Sequence, residues 1–144
     1  MTRPASPRAR MTDIPSPSRP FALTFAERPG YLRVRVTGVN GSLETTIACW
    51  LAIAEEVRSR RPTRLMVKDE MSGEPPPPGE LERFIAQMAG QGFEDVRVAY
   101  VEADGDQVPQ VEHGEIIARE QGFDARVFGN EHDAELWLRY GEKP

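Results

Sequence analysis

The phrase Gln-Gly-Phe closes two amphipathic runs in the second half of the chain. It stands as Gln91-Gly92-Phe93 ahead of Val96-Arg97-Val98, and as Gln121-Gly122-Phe123 ahead of Ala125-Arg126-Val127. Glycine takes the left-handed conformation of a helix C-cap without steric cost, and the aromatic residue after it folds back on the last turn. A β-branched run follows each time, so each phrase predicts helix, tight turn, strand. The two phrases lie about 30 residues apart, the usual length of a strand-helix-strand unit, and so point to crossovers in a parallel sheet.

The rest of the chain fits that scheme. Phe21 to Ala26 and Tyr31 to Thr37 alternate apolar and polar residues around Pro29-Gly30, which predicts a hairpin. Ser42 is the expected N-cap of a first helix, with Leu43, Ile47, Trp50, Leu51, Ala54 and Val57 on its inner face and Arg58, Arg60, Arg61 and Pro62 closing it. Leu65-Met66-Val67 lacks polar alternation and reads as a short strand buried on both faces, central to the sheet. A second helix opens behind Pro78-Gly79, packs Leu81, Phe84, Ile85 and Met88, and ends at Gly90 to Phe93, ahead of a strand over Val96 to Val101. A third helix turns Val108, Val111, Ile116, Ile117 and Ala118 inward, with Gly114 permitting close approach to the sheet, and Ala125 to Phe128 form the last strand. Asn130 caps a final helix, with Asp133 at its third position and Ala134, Trp137 and Leu138 as its packing face. The order ββαβαβαβα predicts an α/β fold, a mostly parallel five-stranded sheet with helices on both faces and an antiparallel first strand.

Residues 1–20 stand apart. They hold four arginines against Asp13, prolines at 4, 7, 15, 17 and 20, and almost nothing apolar to bury, the composition of a disordered tail. Residues 21–144 are then expected to form a single α/β domain, and Met11 is an alternative start. Without the tail, 14 basic and 22 acidic residues remain, and the net charge moves from −5 to −8, a surface that repels nucleic acid and anionic lipid. No apolar core follows the basic start as a secretory signal requires, and the apolar run near Ile47 to Ala54 is too short to span a bilayer. A lone cysteine, Cys49, forms no internal disulfide, so the expected setting is cytoplasmic.

Two stretches carry a resemblance: Tyr31-Leu32-Arg33-Val34-Arg35-Val36-Thr37-Gly38, and His113 to Phe123 leading through Arg126-Val127-Phe128 to Trp137-Leu138. With the element order over residues 21–140, they make the chain similar to the STAS superfamily and more closely to its SpoIIAA-like branch, related in shape to lipid-carrying SEC14 domains. The resemblance implies a non-catalytic regulatory module that works by binding a protein partner. Its alternative is a SEC14-like carrier or sensor of a small apolar or nucleotide ligand. Phospho-switched relatives place a serine at the start of the helix after the third strand. Here that stretch reads Asp69-Glu70-Met71-Ser72-Gly73-Glu74, then Pro75 to Pro78 and Gly79-Glu80-Leu81, with no hydroxyl at the helix start, so the phospho-switch does not carry over.

In an open parallel sheet the carboxyl ends of the strands are where ligands bind. Lys68-Asp69-Glu70 and Ser72 follow the third strand and Glu102-Ala103-Asp104-Gly105-Asp106 the fourth, which makes Asp69, Glu70, Ser72, Glu102 and Asp104 the candidate ligand or partner loop. Carboxylates around one crevice suit a hard cation, but Asp and Gly also cap strands for turn reasons alone, and no metal or cofactor is expected. His113 and His132 fall on different helices, away from Cys49, and read as surface histidines. No glycine-rich phosphate loop, nucleophile elbow or HExxH occurs, so no enzyme is expected; Asp69 and Glu102 would be the first suspects if one were found. Pro75 to Pro78 read as a stiff spacer ahead of the second helix, lying over the ligand edge as a fixed lid. Trp50, Trp137, Phe84 and Met88 read as core, although an apolar cavity would be lined by the same residue types.

Overall fold

The computed structural model describes residues 19–74 and 76–141; most of the predicted tail and Pro75 lie outside these. Strands β1 (Phe21–Arg28) and β2 (Tyr31–Val39) form the hairpin, with Gly30 at φ 88 in its turn. Helix α1 (Leu43–Arg60) leads to β3 (Arg64–Ser72), α2 (Pro78–Gln87) to β4 (Arg97–Glu102), and α3 (Val108–Glu120) to β5 (Asp124–Phe128). A 3-10 turn, Gly105–Gln107, precedes α3, and α4 (Glu131–Tyr140) is the last element among the described residues. The sheet runs β1-β2-β3-β4-β5, antiparallel at the first pair and parallel at the others.

The strand order advances in one direction without reversing. Three successive right-handed crossovers must therefore lie on one face, and α1, α2 and α3 do so, leaving only α4 for the other. The division follows the two-residue period of the strands: Leu32, Val34, Leu65, Val67 and Val98 meet the three-helix layer, while Tyr31, Met66, Ala99 and Val101 meet Ala134, Trp137 and Leu138 of α4. Because the order never reverses, the sheet has no topological switch point among the described strands.

The predicted caps are present. The Ser42 and Asn130 side chains accept from the N–H groups of Thr45 and Asp133. At the second Gln-Gly-Phe, Gly122 has φ +95, its N–H donates to Arg119 O, and the Phe123 N–H donates to Ala118 O at 2.9 Å, the paired closure of a Schellman motif. The first phrase behaves differently. Helix α2 already stops at Gln87, and the chain turns through Gly90 and Gly92, both at positive φ, before buried Phe93.

Several expected faces are shifted. The buried side of α1 is Thr46, Cys49, Ile53, Ala54 and Val57, rotated from the predicted stripe, because Leu43, Ile47 and Leu51 sit at the edge of a layer where α2 covers one flank only. On α3, Ile116 is 55% exposed instead of inward, and Gly114 gives close approach to Leu81 of α2, not to the sheet. Strand β3 is longer than Leu65-Met66-Val67, since parallel pairing with β2 continues to Ser72.

Candidate functional site

The extension of β3 changes the setting of the candidate carboxylates. Asp69 and Glu70 do not follow the strand but lie inside it, paired in register with Val36 and Thr37 of β2. Neighbours in a strand point to opposite faces, so the two acids separate. Asp69 continues the Leu65-Val67 row toward α1–α3, whereas Glu70 faces the α4 side. There Glu70 pairs with Arg35 at 2.7 Å and Lys68 at 3.3 Å, in a network that Glu131 of α4 completes by bridging Arg33 and Lys68. The strand period thus sets Asp69 and Glu70 on opposite faces of the sheet.

Asp69 and Glu102 do come together, because they are opposite one another in the β3–β4 register. Tyr100, two residues before Glu102, shares their face and donates its hydroxyl to Asp69 Oδ2, while Asp69 Oδ1 accepts the Met71 N–H at 2.9 Å. Glu102 is 2% exposed, and its Oε2 accepts the Asp104 N–H at 3.1 Å. Asp104 itself is exposed and accepts the Asp106 N–H to start the 3-10 turn, a local role. Ser72 is exposed at the end of β3, with its hydroxyl near Gly38 O at 3.3 Å. Of the candidate residues, the fold thus unites Asp69 and Glu102 and leaves Glu70, Ser72 and Asp104 outside.

Burial controls the electrostatics of this group. The Glu102 carboxyl is pushed up to about 7, chiefly by loss of water and further by the charges of Asp69 and Asp104, with the Asp104 N–H and Tyr100 hydroxyl opposing. Burial also raises Asp69, against its hydrogen bonds from Tyr100 and Met71, and raises Tyr100 well above the ordinary phenol range. Cys49 on α1 is buried and pushed up to about 12, so it is no thiolate nucleophile. His113 and His132 are exposed, on helices that cover opposite faces of the sheet.

Asp69, Tyr100 and Glu102 line a cavity of about 150 Å³ between the sheet and the three-helix layer. Trp50 of α1 stands in its wall, with ring centroids 5.8 Å from Phe84, 5.7 Å from Phe93 and 6.1 Å from Tyr100. Pro76 is buried and lines the same space, Pro77 is the N-cap of α2, and the Gln107 amide donates to Gly73 O at 2.9 Å across the two loops. Tyr100 is a site residue beyond those expected from the sequence, and Trp50 and Phe84, which have the spacing of packing residues, stand in the cavity wall. Continuing the alternation Val98, Tyr100, Glu102 would have put the phenol beside the acid; no periodicity tells a wall residue from a core one. Among the described residues, no group of three or more His, Cys, Asp or Glu side chains is arranged to hold a metal ion.

No family model matches the chain, and no curated protein does. A solved structure does: the crystal structure of an anti-sigma factor antagonist from Mycobacterium paratuberculosis, 15% identical, aligns with a TM-score of 0.55 over 88% of this chain and 99% of that one. The fold is that of an anti-sigma factor antagonist. The likeness agrees with the STAS-type architecture expected from Tyr31 to Gly38 and His113 to Phe128, including the antiparallel β1 and the parallel remainder. At this identity the likeness concerns the fold. Within the described residues, no helix is long and apolar enough to cross a membrane.

Proposed function

We propose that the protein is a non-catalytic regulatory module that acts by binding a protein partner. The observation that carries this reading is the shared fold with an anti-sigma factor antagonist across nearly all of both chains. The surface we assign to the partner is the connection from β3 to α2 and the first turn of that helix, where Glu74 is exposed and Glu80 half-buried. This helix start carries Pro77, Pro78, Gly79 and Glu80, with no side-chain cap bond. A carboxylate in the first turn already complements the helix dipole where switched relatives would add a phosphate, so binding here is constitutive. In a pull-down from the native host, a protein retained by the wild type is expected to be lost with the Glu74→Lys/Glu80→Lys variant at unchanged melting temperature. Equal retention by both would remove this surface, and enrichment of nothing over a scrambled-surface control would remove the regulatory reading.

A second reading is favoured by the cavity: a carrier or sensor of a small apolar ligand. About 150 Å³ is below the usual range for drug-sized ligand sites, and the acids in its wall oppose phosphates, so a nucleotide is not the occupant we propose. Native mass spectrometry of protein purified from its host is expected to show a retained mass that denaturation releases. A bare mass under both conditions would count against a resident ligand.

A further inference from the structure

The cavity combines a feature of an apolar pocket with one that an apolar pocket does not need. Two carboxyl groups, Asp69 and Glu102, stand together in its wall. Their partners are a phenol hydroxyl and backbone N–H groups, and among the described residues neither is ion-paired. Burying a carboxylate without a cation is costly, and two in register compound it. The other charged side chains of the lining do not relieve this. Glu115 of α3 is occupied by the Val127 N–H at 2.7 Å and lies 3.9 Å from Arg119, and Arg126 of β5 is exposed with its guanidinium 6.0 Å from the Phe128 ring centroid. The aromatic cluster around Trp50 occupies the same space. Carboxyl groups beside aromatic faces, one of them on the 2% exposed Glu102, are complementary to an organic cation.

We propose that this cavity binds a small organic ammonium ion, a protonated amine on an apolar body of about six to ten non-hydrogen atoms, the size that a cavity of this volume holds. The proposal rests on the sensor reading above and names its ligand class. The ammonium sits between Asp69 and Glu102 with Tyr100 holding the Asp69 carboxylate in place, and the body lies against Trp50 and Phe84. A neutral guest of the same shape would leave the acids uncompensated, and an anionic one would be repelled.

Binding is linked to protons. The titratable and charged groups of the lining are Asp69 of β3, Tyr100 and Glu102 of β4, Cys49 of α1, Glu115 of α3 and Arg126 of β5, with the exposed Asp104 acting on Glu102 by its charge from the loop after β4; the α2 wall contributes apolar side chains only. Of these, Glu102 changes charge near neutrality, and a bound cation favours its ionised form. Affinity for an amine therefore rises as pH passes through about 7, and binding below that value releases a proton.

The test is isothermal titration calorimetry of the full-length protein, with Trp50 fluorescence as a second readout. The probes are phenethylamine, phenethyl alcohol, propylbenzene and phenylacetate. Near pH 8, phenethylamine is expected to bind roughly tenfold or more tightly than the alcohol, and phenylacetate not at all. Glu102→Gln, nearly isosteric, is expected to reduce that preference to within about threefold, with proton release below neutrality abolished. The wild-type probe series stands even where Glu102→Gln fails to fold. Alcohol or propylbenzene binding as tightly as the amine would overturn the ammonium assignment and leave the sensor reading intact. Binding of none of the four would remove both.

Discussion

Replacing Arg97 by methionine is expected to cost about 3–5 kcal/mol of stability, the range for removing one member of a buried pair. Arg97 opens β4 in a strand that is otherwise mostly apolar, and it is only 9% exposed. Its Nε donates to Asp124 Oδ2 at 3.1 Å on the neighbouring strand, and its Nη1 donates to the carbonyls of Trp137 at 2.9 Å and Gly141 at 2.6 Å. The guanidinium also lies 4.3 Å from the Trp137 ring centroid. A planar cation with several donors thus satisfies the carbonyl end of α4 and anchors that helix to the far face of the sheet; Arg64 helps by donating to Leu138 O at 2.6 Å. Methionine keeps much of the stem's packing but leaves the Asp124 carboxylate without its cation, when Asp124 Oδ1 already has no partner among the described residues. Lysine, which keeps charge but not the fork, is expected to fall between. Urea denaturation of Arg97→Met, Arg97→Lys, Asp124→Asn and the double variant checks this through the coupling energy. A loss below about 1 kcal/mol for Arg97→Met would show that α4 is held by its apolar face alone.

Glu102→Gln is expected to stabilise the protein at about pH 8 by roughly 2–3 kcal/mol and to change little at about pH 5. The sign follows from where the proton resides. Folding raises the carboxyl from 4.5 to about 7, so between those values the native state keeps a proton that the unfolded chain has lost. Stability conferred by that proton is full below the lower value, declines as pH rises, and is gone above the higher one. Asp69, also raised by burial, acts in the same direction. Glutamine resembles the protonated acid at every pH, which confines the gain to the alkaline side. Paired denaturation curves at the two pH values decide the matter: an equal gain at both would mean that glutamine improves packing and that Glu102 carries no buried charge.

Much of this protein was written locally. The caps at Ser42 and Asn130, the Gly122-Phe123 closure and the Gly30 turn each depend on a few adjacent residues, and all are where the sequence places them. Alternation in β2 and the apolar run in β3 depend on one face or two being covered, and they too were legible, giving the element order and the parallel sheet. What local signals could not supply was the length of pairing. Lys68, Asp69 and Glu70 look like a polar loop after Val67, yet β4 pairs with the strand as far as Asp69 and β2 as far as Ser72, and backbone hydrogen bonds extend the strand through them.

That extension made the site. Once Asp69 is a strand residue, register brings it beside Glu102, and the two-residue period sends Glu70 to the opposite face to pair with Arg35 and Lys68. The β4–β5 register lodged Arg97 beside Asp124 and under α4, an arrangement between residues far apart in sequence. The sequence by itself determined the elements, their caps and their order, because those follow from backbone conformation and side-chain periodicity within a turn or a strand. Only the tertiary structure decided which carboxyls share a cavity and which are neutralised, because burial and electrostatic partnership are properties of neighbours in space.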